Sequence, residues 1–210
     1  MSAVGVPNRD FFAASALDVA PRLLGARLTH ETAHGAVTLR ITEVEAYVGD
    51  GVDPGSHAFR GQTRRNAAMY GPPGHLYAYF TYGMHVCANV VCSPAGEASA
   101  VLLRAGEVVE GVEIARERRG LAVAERDLAR GPARLVVALG IGLDDDGADL
   151  LDPPFSLRLP EDQGPSATGP RTGVSGAGGS DGFPWRFWVP GDPTVSPYRR
   201  HARAFPDAKT

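Results

Sequence analysis

The sequence predicts one α+β domain: a curved, mainly antiparallel sheet with flanking helices and a protruding β-hairpin. Three observations predict it. The chain has 210 residues, 43% hydrophobic and 21% charged, which is enough apolar material for one core and little more. Several apolar runs alternate with period two and are joined by turn signals, as strands are. Helical patterns do not alternate regularly with those strands, which argues against a doubly wound parallel sheet.

The elements follow in order. "SALDVAPRLLG" (15–25) reads as a short helix, with Ser15 and Asp18 suited to a capping box, Gly25 to the stop, and Pro21 kinking or shortening it. Two strands, about 26–31 and 36–48, flank the "AHG" turn. Residues 49–74 form a long Gly/Pro/Arg-rich loop with a possible short helix near Asn66–Tyr70; a loop this long in a compact domain is usually functional or disordered. "HLYAYFTYGMHVCANVVC" (75–92) reads as a hairpin with Tyr82 and Gly83 near its tip, and "ASAVLLRAGEV" (98–108) as a further strand. "EGVEIARERRG" (110–120) is an amphipathic helix, and "GPARLVVALGI" (131–141) starts a second at Gly131 and Pro132. Residues 160–182 read as an irregular loop and "WRFWV" (185–189) as a late strand. Residues 1–8 and 201–210 are expected to be weakly ordered, with the tail loosening from about Tyr198.

Charge and composition narrow the function. The net charge of −3 counts against nucleic acid as a partner. It is unevenly spread, however: "DDDGADLLD" (144–152) is acidic, whereas "FRGQTRR" (59–65) and "RERRG" (116–120) are basic. No apolar run is long enough to span a bilayer, and the N-terminus lacks a basic region followed by an apolar segment. The expectation is a cytoplasmic protein without a membrane partner. Cys87 and Cys92 stand five apart in one strand, on opposite faces, so they read as buried free thiols. No histidine or cysteine spacing suits a metal, and none is expected.

The sharpest signal is "ITEVEAYVGD" (41–50). By strict alternation one face of this strand carries Val37, Leu39 and Ile41, then Glu43, Glu45 and Tyr47. Two carboxylates about 7 Å apart thus continue an apolar stripe, beside an aromatic ring and under a long loop. A glutamate so placed suits a general base, and Arg104, at the end of "SAVLLR", is the candidate to pair with it. Tyr77 and Tyr79 share a hairpin face, and packing in the core accounts for at least one of them. Tyr82 beside Gly83 reads as an exposed ring fit to insert between stacked bases. Asn89 is a lone amide among "VCANVV" that must find partners or select a ligand. His57 stands alone in "DPGSHAF", and Arg64, Arg65 and Asn66 in "GQTRRNAAMYGPPG" suit phosphate contacts. For each of these loop residues a solvated surface role is the plain alternative.

Together, "EVEAYVGDGVDPGSHAFRGQTRRNAAMYGPPGHLYAYFTYGMHVCANVV", "AVLLRAGEVVEG", "GPARLVVALGI" and "PRTGVS…RFWVPG" closely resemble the alkyladenine (3-methyladenine) DNA glycosylase family shared by mammals and many bacteria. The resemblance runs from about Phe11 to Arg200, with 144–168 unmatched. It implies a formyltransferase C-terminal-domain-like version of the predicted fold. It implies an enzyme that flips alkylated purines out of double-stranded DNA and hydrolyses the N-glycosidic bond, leaving an abasic site. Glu45 falls on the general base. Tyr47 falls on one side of the flipped base, and His57 and Tyr79 on the other. Tyr82 falls on the inserted ring and Asn89 on the residue that disfavours guanine-like purines. Arg104 and the backbone carbonyl of Thr172 fall where the attacking water is held. Thr63, Arg65 and Met69 fall on backbone- or groove-contacting positions, and His85 stands where an aromatic often stands and could touch a phosphate. The only lysine is Lys209 and the chain does not begin with proline, so a Schiff-base nucleophile is not expected and water should attack. The expected partner is duplex DNA bearing damaged purines, bound by a nucleoid-associated monomer without cofactors. Two rivals share parts of this pattern: a small-molecule glycoside or nucleoside hydrolase, and a catalytically silent binder of damaged DNA.

Overall fold

The computed structural model describes residues 4–81 and 83–205. Tyr82, expected as the inserted ring, and Lys209 lie outside the described residues.

The chain folds as expected into a mixed α+β structure around one open antiparallel sheet. Its strands are β1 (Val4–Gly5), β2 (Arg27–Thr32), β3 (Gly35–Val48), β4 (Leu76–Thr81), β5 (His85–Val91), β6 (Ser99–Glu110), β7 (Phe155–Pro160), β8 (Ala167–Gly169) and β9 (Arg186–Trp188). The main path runs β1-β7-β2-β3-β6-β5-β4, with β9 added on β3 and β8 on β9. The helices are α1 (Arg9–Phe12), α2 (Ala16–Arg22), α3 (Val112–Arg119) and α4 (Pro132–Leu139). Among the described residues no helix is long and apolar enough to cross a membrane.

Local chemistry explains the boundaries. Ser15 caps α2 by accepting from Leu17 N, and Pro21 sits in the last turn, where the helix is already ending. Gly131 and Pro132 start α4 as expected. Strand β7 was not anticipated. Phe155 and Leu157 are its buried positions, alternating as a half-buried strand does. Its pairing with β2 and β1 closes one edge of the sheet.

The sheet has two different faces. On one, Leu28, Val37, Leu39, Ile41, Leu76, Ala88, Val101 and Leu103 pack with α2 and α4 into the main core. The other face, over β3 to β6, is covered by the 49–63 loop, a 3₁₀ segment (Arg64–Tyr70) and the 171–180 loop. Strict alternation fails on β3, and this corrects the reading of its stripe. Ile41 pairs with Gly106 and Glu43 with Ala105, so Thr42 is an extra, bulged residue. Beyond it Val44 and Ala46 carry on the core face. Glu43, Glu45 and Tyr47 are therefore on the opposite face from Val37, Leu39 and Ile41, and the carboxylates do not enter the oily core at all.

The tail is tied down as far as Phe205. Gly173 N donates to Arg199 O (3.0 Å), Gly176 N donates to Arg203 O (2.8 Å), and Ala204 bridges Gly176.

Candidate active site

Between the covering loops and the second sheet face lies a cavity of about 460 Å³. Four strands supply its floor: β3 gives Glu45 and Tyr47, β4 gives Tyr77 and Tyr79, β5 gives Cys87 and Asn89, and β6 gives Leu102 and Arg104. The loops supply His57, Met69, Thr172 and Val174. Every floor residue is on the face opposite the main core, so strand alternation presents them together.

Glu45 is the hub. Its side chain is inaccessible to solvent, yet it borders the cavity. Three donors surround it: Thr172 N at 2.7 Å on Oε1, Tyr47 OH at 2.8 Å on Oε2, and the Arg104 guanidinium at 3.3 Å from Oε2. Burial first, then the Glu45 charge, holds the Tyr47 phenol well above its usual value of 10.0. The hydroxyl therefore keeps its proton and donates.

Arg104 joins Glu45 to Glu43. Its Nε donates to Glu43 Oε1 (2.9 Å) and its Nη2 to Ser196 Oγ (3.3 Å). Burial alone would lower its pKa, but Glu45 and Glu43 outweigh that and raise it. Glu43 does not border the cavity. It is fully enclosed, accepting from Arg186 Nε at 2.6 Å and Ser196 N at 2.7 Å as well.

A second buried pair stands behind Tyr47. Asp53 and Arg171 form a bidentate bridge with both side chains fully enclosed. Arg171 also donates to Ala46 O and Gly178 O, and its guanidinium lies 4.4 Å from the centre of the Tyr47 ring. The approach is so close that a Cβ on Gly55 would stand 2.6 Å from Arg171 Nη2, and one on Gly178 would collide with Gly55 N. Glycine at both positions lets the two covering loops meet behind the ring.

Three further aromatic side chains line the cavity, His57, Tyr77 and Tyr79. His57 and Tyr79 meet edge to face at 4.6 Å, and His57 Nδ1 is 3.2 Å from the Tyr77 hydroxyl. Although His57 is exposed as a residue, desolvation of its ring first, and then Arg65, lowers its pKa from the usual 6.5 and so favours the neutral form. Asn89 Nδ2 donates to Tyr77 O (3.0 Å), and its Oδ1 accepts no hydrogen bond from another described residue.

The other predicted residues are spread around this centre. Thr63 caps the 3₁₀ segment, accepting from Asn66 N, and Arg64 and Arg65 are exposed. Arg65 donates to Phe80 O at the hairpin (3.0 Å). His85 is exposed and lines the cavity. Met69, expected at a groove-contacting position, is only 2% exposed and forms cavity wall instead. The contact Thr172 makes with Glu45 is through its N–H. Asp53, Arg171, Arg186 and Ser196 were not singled out from sequence, although Arg171 stands inside the quoted "PRTGVS" motif. Among the described residues no group of three or more His, Cys, Asp or Glu side chains converges as metal ligands would.

The family model described as methylpurine-DNA glycosylase matches residues 10–193. A protein of Leifsonia xyli subsp. xyli is 74% identical over 199 residues, covering 93% of each chain. One from Streptomyces avermitilis is 57% identical over 201 residues, covering 92% of each. One from Mycobacterium tuberculosis is 48% identical over 203 residues, covering 94% of this chain and 96% of the relative. All three carry 3-methyladenine DNA glycosylase as a provisional name.

Proposed function

The chain belongs to the methylpurine-DNA glycosylase family, and from that premise we propose that it is a DNA repair glycosylase that extrudes alkylated purines of the 3-methyladenine type into this cavity and releases them by hydrolysis. The observation that carries the reading is Glu45: a carboxylate bordering an aromatic-walled cavity and oriented by three donors. A group used as a base must be held in one geometry, and these donors do that without occupying the cavity.

In the proposed reaction the purine stacks between Tyr47 and the His57–Tyr79 wall. A neutral His57 does not repel a cationic base, and Asn89 is the residue that would disfavour guanine-like purines. Unstacking the nucleotide costs a few kcal/mol, and less for a damaged pair, which favours lesions. A water molecule attacks C1′ of the sugar and Glu45 takes its proton. The electron pair of the C1′–N bond leaves with the base. An N3-alkylated adenine is cationic, so it departs neutral without needing a proton. Positive charge that gathers on the sugar is stabilised by the same carboxylate. The products are a free base and an abasic site bearing a C1′ hydroxyl. The sole lysine is Lys209, so no lysine of the cavity offers an amine for a Schiff base, and the strand stays intact. Exposed Arg60, Arg64 and Arg65 would meet phosphates, with Tyr82 filling the gap left in the stack.

The test uses duplex DNA carrying one defined alkylated purine. Glu45→Gln should abolish release of free base while duplex binding survives. Release near the wild-type rate would remove Glu45 from the mechanism. Release from a free nucleoside as fast as from the duplex would change the substrate class.

A further inference from the structure

Residues 198–205, "YRRHARAF", lie beyond the 10–193 stretch that the family description covers, and the reaction above does not use them. They are nevertheless bonded to the cavity wall. Gly173, Val174 and Ser175 line the cavity. Gly173 N donates to Arg199 O, Gly176 N donates to Arg203 O, and Phe205 N returns a bond to Gly176 O (3.2 Å). The strap is therefore one hydrogen bond from a lining residue. That residue, Gly173, adjoins Thr172, whose N–H holds Glu45.

The side chains of the strap are basic and exposed. Arg200 is engaged with Asp181 (3.5 Å) and with Phe205 O (3.1 Å). Arg199 and Arg203 are exposed, and their guanidinium groups make no ion pair or hydrogen bond with another described residue. An exposed arginine alone means little. Two without a partner among the described residues, one on backbone bonded to lining Gly173 and one on backbone bonded to Gly176 beside lining Ser175, are another matter. Other exposed arginines near the cavity, among them Arg64, Arg65 and Arg134, come from different elements. Exposed arginines thus stand on separate segments next to cavity-lining residues although the whole chain carries −3.

We propose that residues 198–205 form a second phosphate-binding element, gripping the DNA backbone beside the extruded nucleotide through Arg199 and Arg203. The proposal rests on DNA being the substrate, as argued above.

Each phosphate neutralised contributes about 0.9 to the slope of log Kobs against log salt on duplex DNA. Binding is measured by fluorescence anisotropy on an undamaged duplex, so the readout does not depend on base release. The Arg199→Ala/Arg203→Ala protein should bind more weakly and lose about 2 from the magnitude of that slope. The Arg199→Lys/Arg203→Lys protein should keep the slope. An alanine pair with an unchanged slope overturns the strap, as does a lysine pair that falls as far as the alanine pair. If wild-type protein releases no base from alkylated duplex, the glycosylase reading fails by itself and the slopes still judge the strap.

Discussion

Glu43 and Glu45 stand two positions apart on one strand, yet they have opposite surroundings. Glu45 borders empty space. Glu43 has none, being shared among Arg104, Arg186 and Ser196 N. Burial pushes the Glu43 carboxyl up, but Arg104, Arg186 and Ser196 outweigh it, so its pKa falls below the usual 4.5. A depressed carboxylate adds stability that is fully present above its unfolded value and is lost as pH falls through the folded one. Wild-type stability should therefore decline on acidification below about pH 4.5. Glu43→Gln leaves two buried guanidinium groups facing a neutral amide, which costs about 3–5 kcal/mol at neutral pH, and its acid limb should be flatter. Urea denaturation across a pH series reads both effects; a variant as stable as wild type at pH 7 would show that Glu43 is not a structural anchor. At this scale much of the candidate site was legible. An acid breaking an apolar stripe drew attention to Glu45 and Tyr47, and a lone amide to Asn89. Asp53 and Arg171 were not legible, because a charged pair contributed by two irregular loops follows no periodicity that a sequence displays.

The elements show why existence was easier to read than direction. Strands β2 to β6 announce themselves by alternation, and each was expected within a few residues. The bulge at Thr42 does not, since an inserted residue looks like any other until its partner strand is known. It inverts the faces, and it is what turns Glu45 away from the core and toward the cavity. Strand β7 escaped notice because prolines and an acidic run surround its short alternation. The two covering loops lack regular structure over most of their length, so something else must hold them, and the Asp53–Arg171 bridge does. Asp53 also accepts from Gly55 N and Val48 N, fixing the turn that follows β3. Asp53→Asn should destabilise the protein by about 3–5 kcal/mol, since it strands an enclosed guanidinium. Arg171→Met, of similar length, strands the carboxylate in turn. The double variant should then lose less than the two single losses added, because each single change leaves a charge that the double removes. Urea denaturation of the four proteins measures the coupling, and additive losses would mean that the loops are held some other way.

The whole molecule raises the question of whether 210 residues unfold as one unit, as the single domain expected from the sequence requires. The main core speaks for it. One contiguous cluster takes residues from Phe11 to Leu157, and Trp185, Phe187 and Val189 pack against it from the late segment. That segment also reaches across the sheet. Strand β9 pairs with β3, Arg186 and Ser196 close around Glu43, and Thr194 Oγ1 meets the bulged Thr42 Oγ1 at 2.8 Å. Loss of the late segment would thus strip an enclosed carboxylate of most of its donors, and an uncompensated buried charge costs several kcal/mol. Separate melting is therefore unfavourable even though the segment itself holds little regular structure. The two tryptophans, Trp185 and Trp188, both belong to it, while far-UV circular dichroism reports the sheet and helices. Tryptophan fluorescence and circular dichroism should follow the same urea transition, as two-state unfolding demands. A fluorescence change that precedes the loss of the sheet would divide the chain into two units and detach the covering loop at Thr172 from the stability of the strand that carries Glu45.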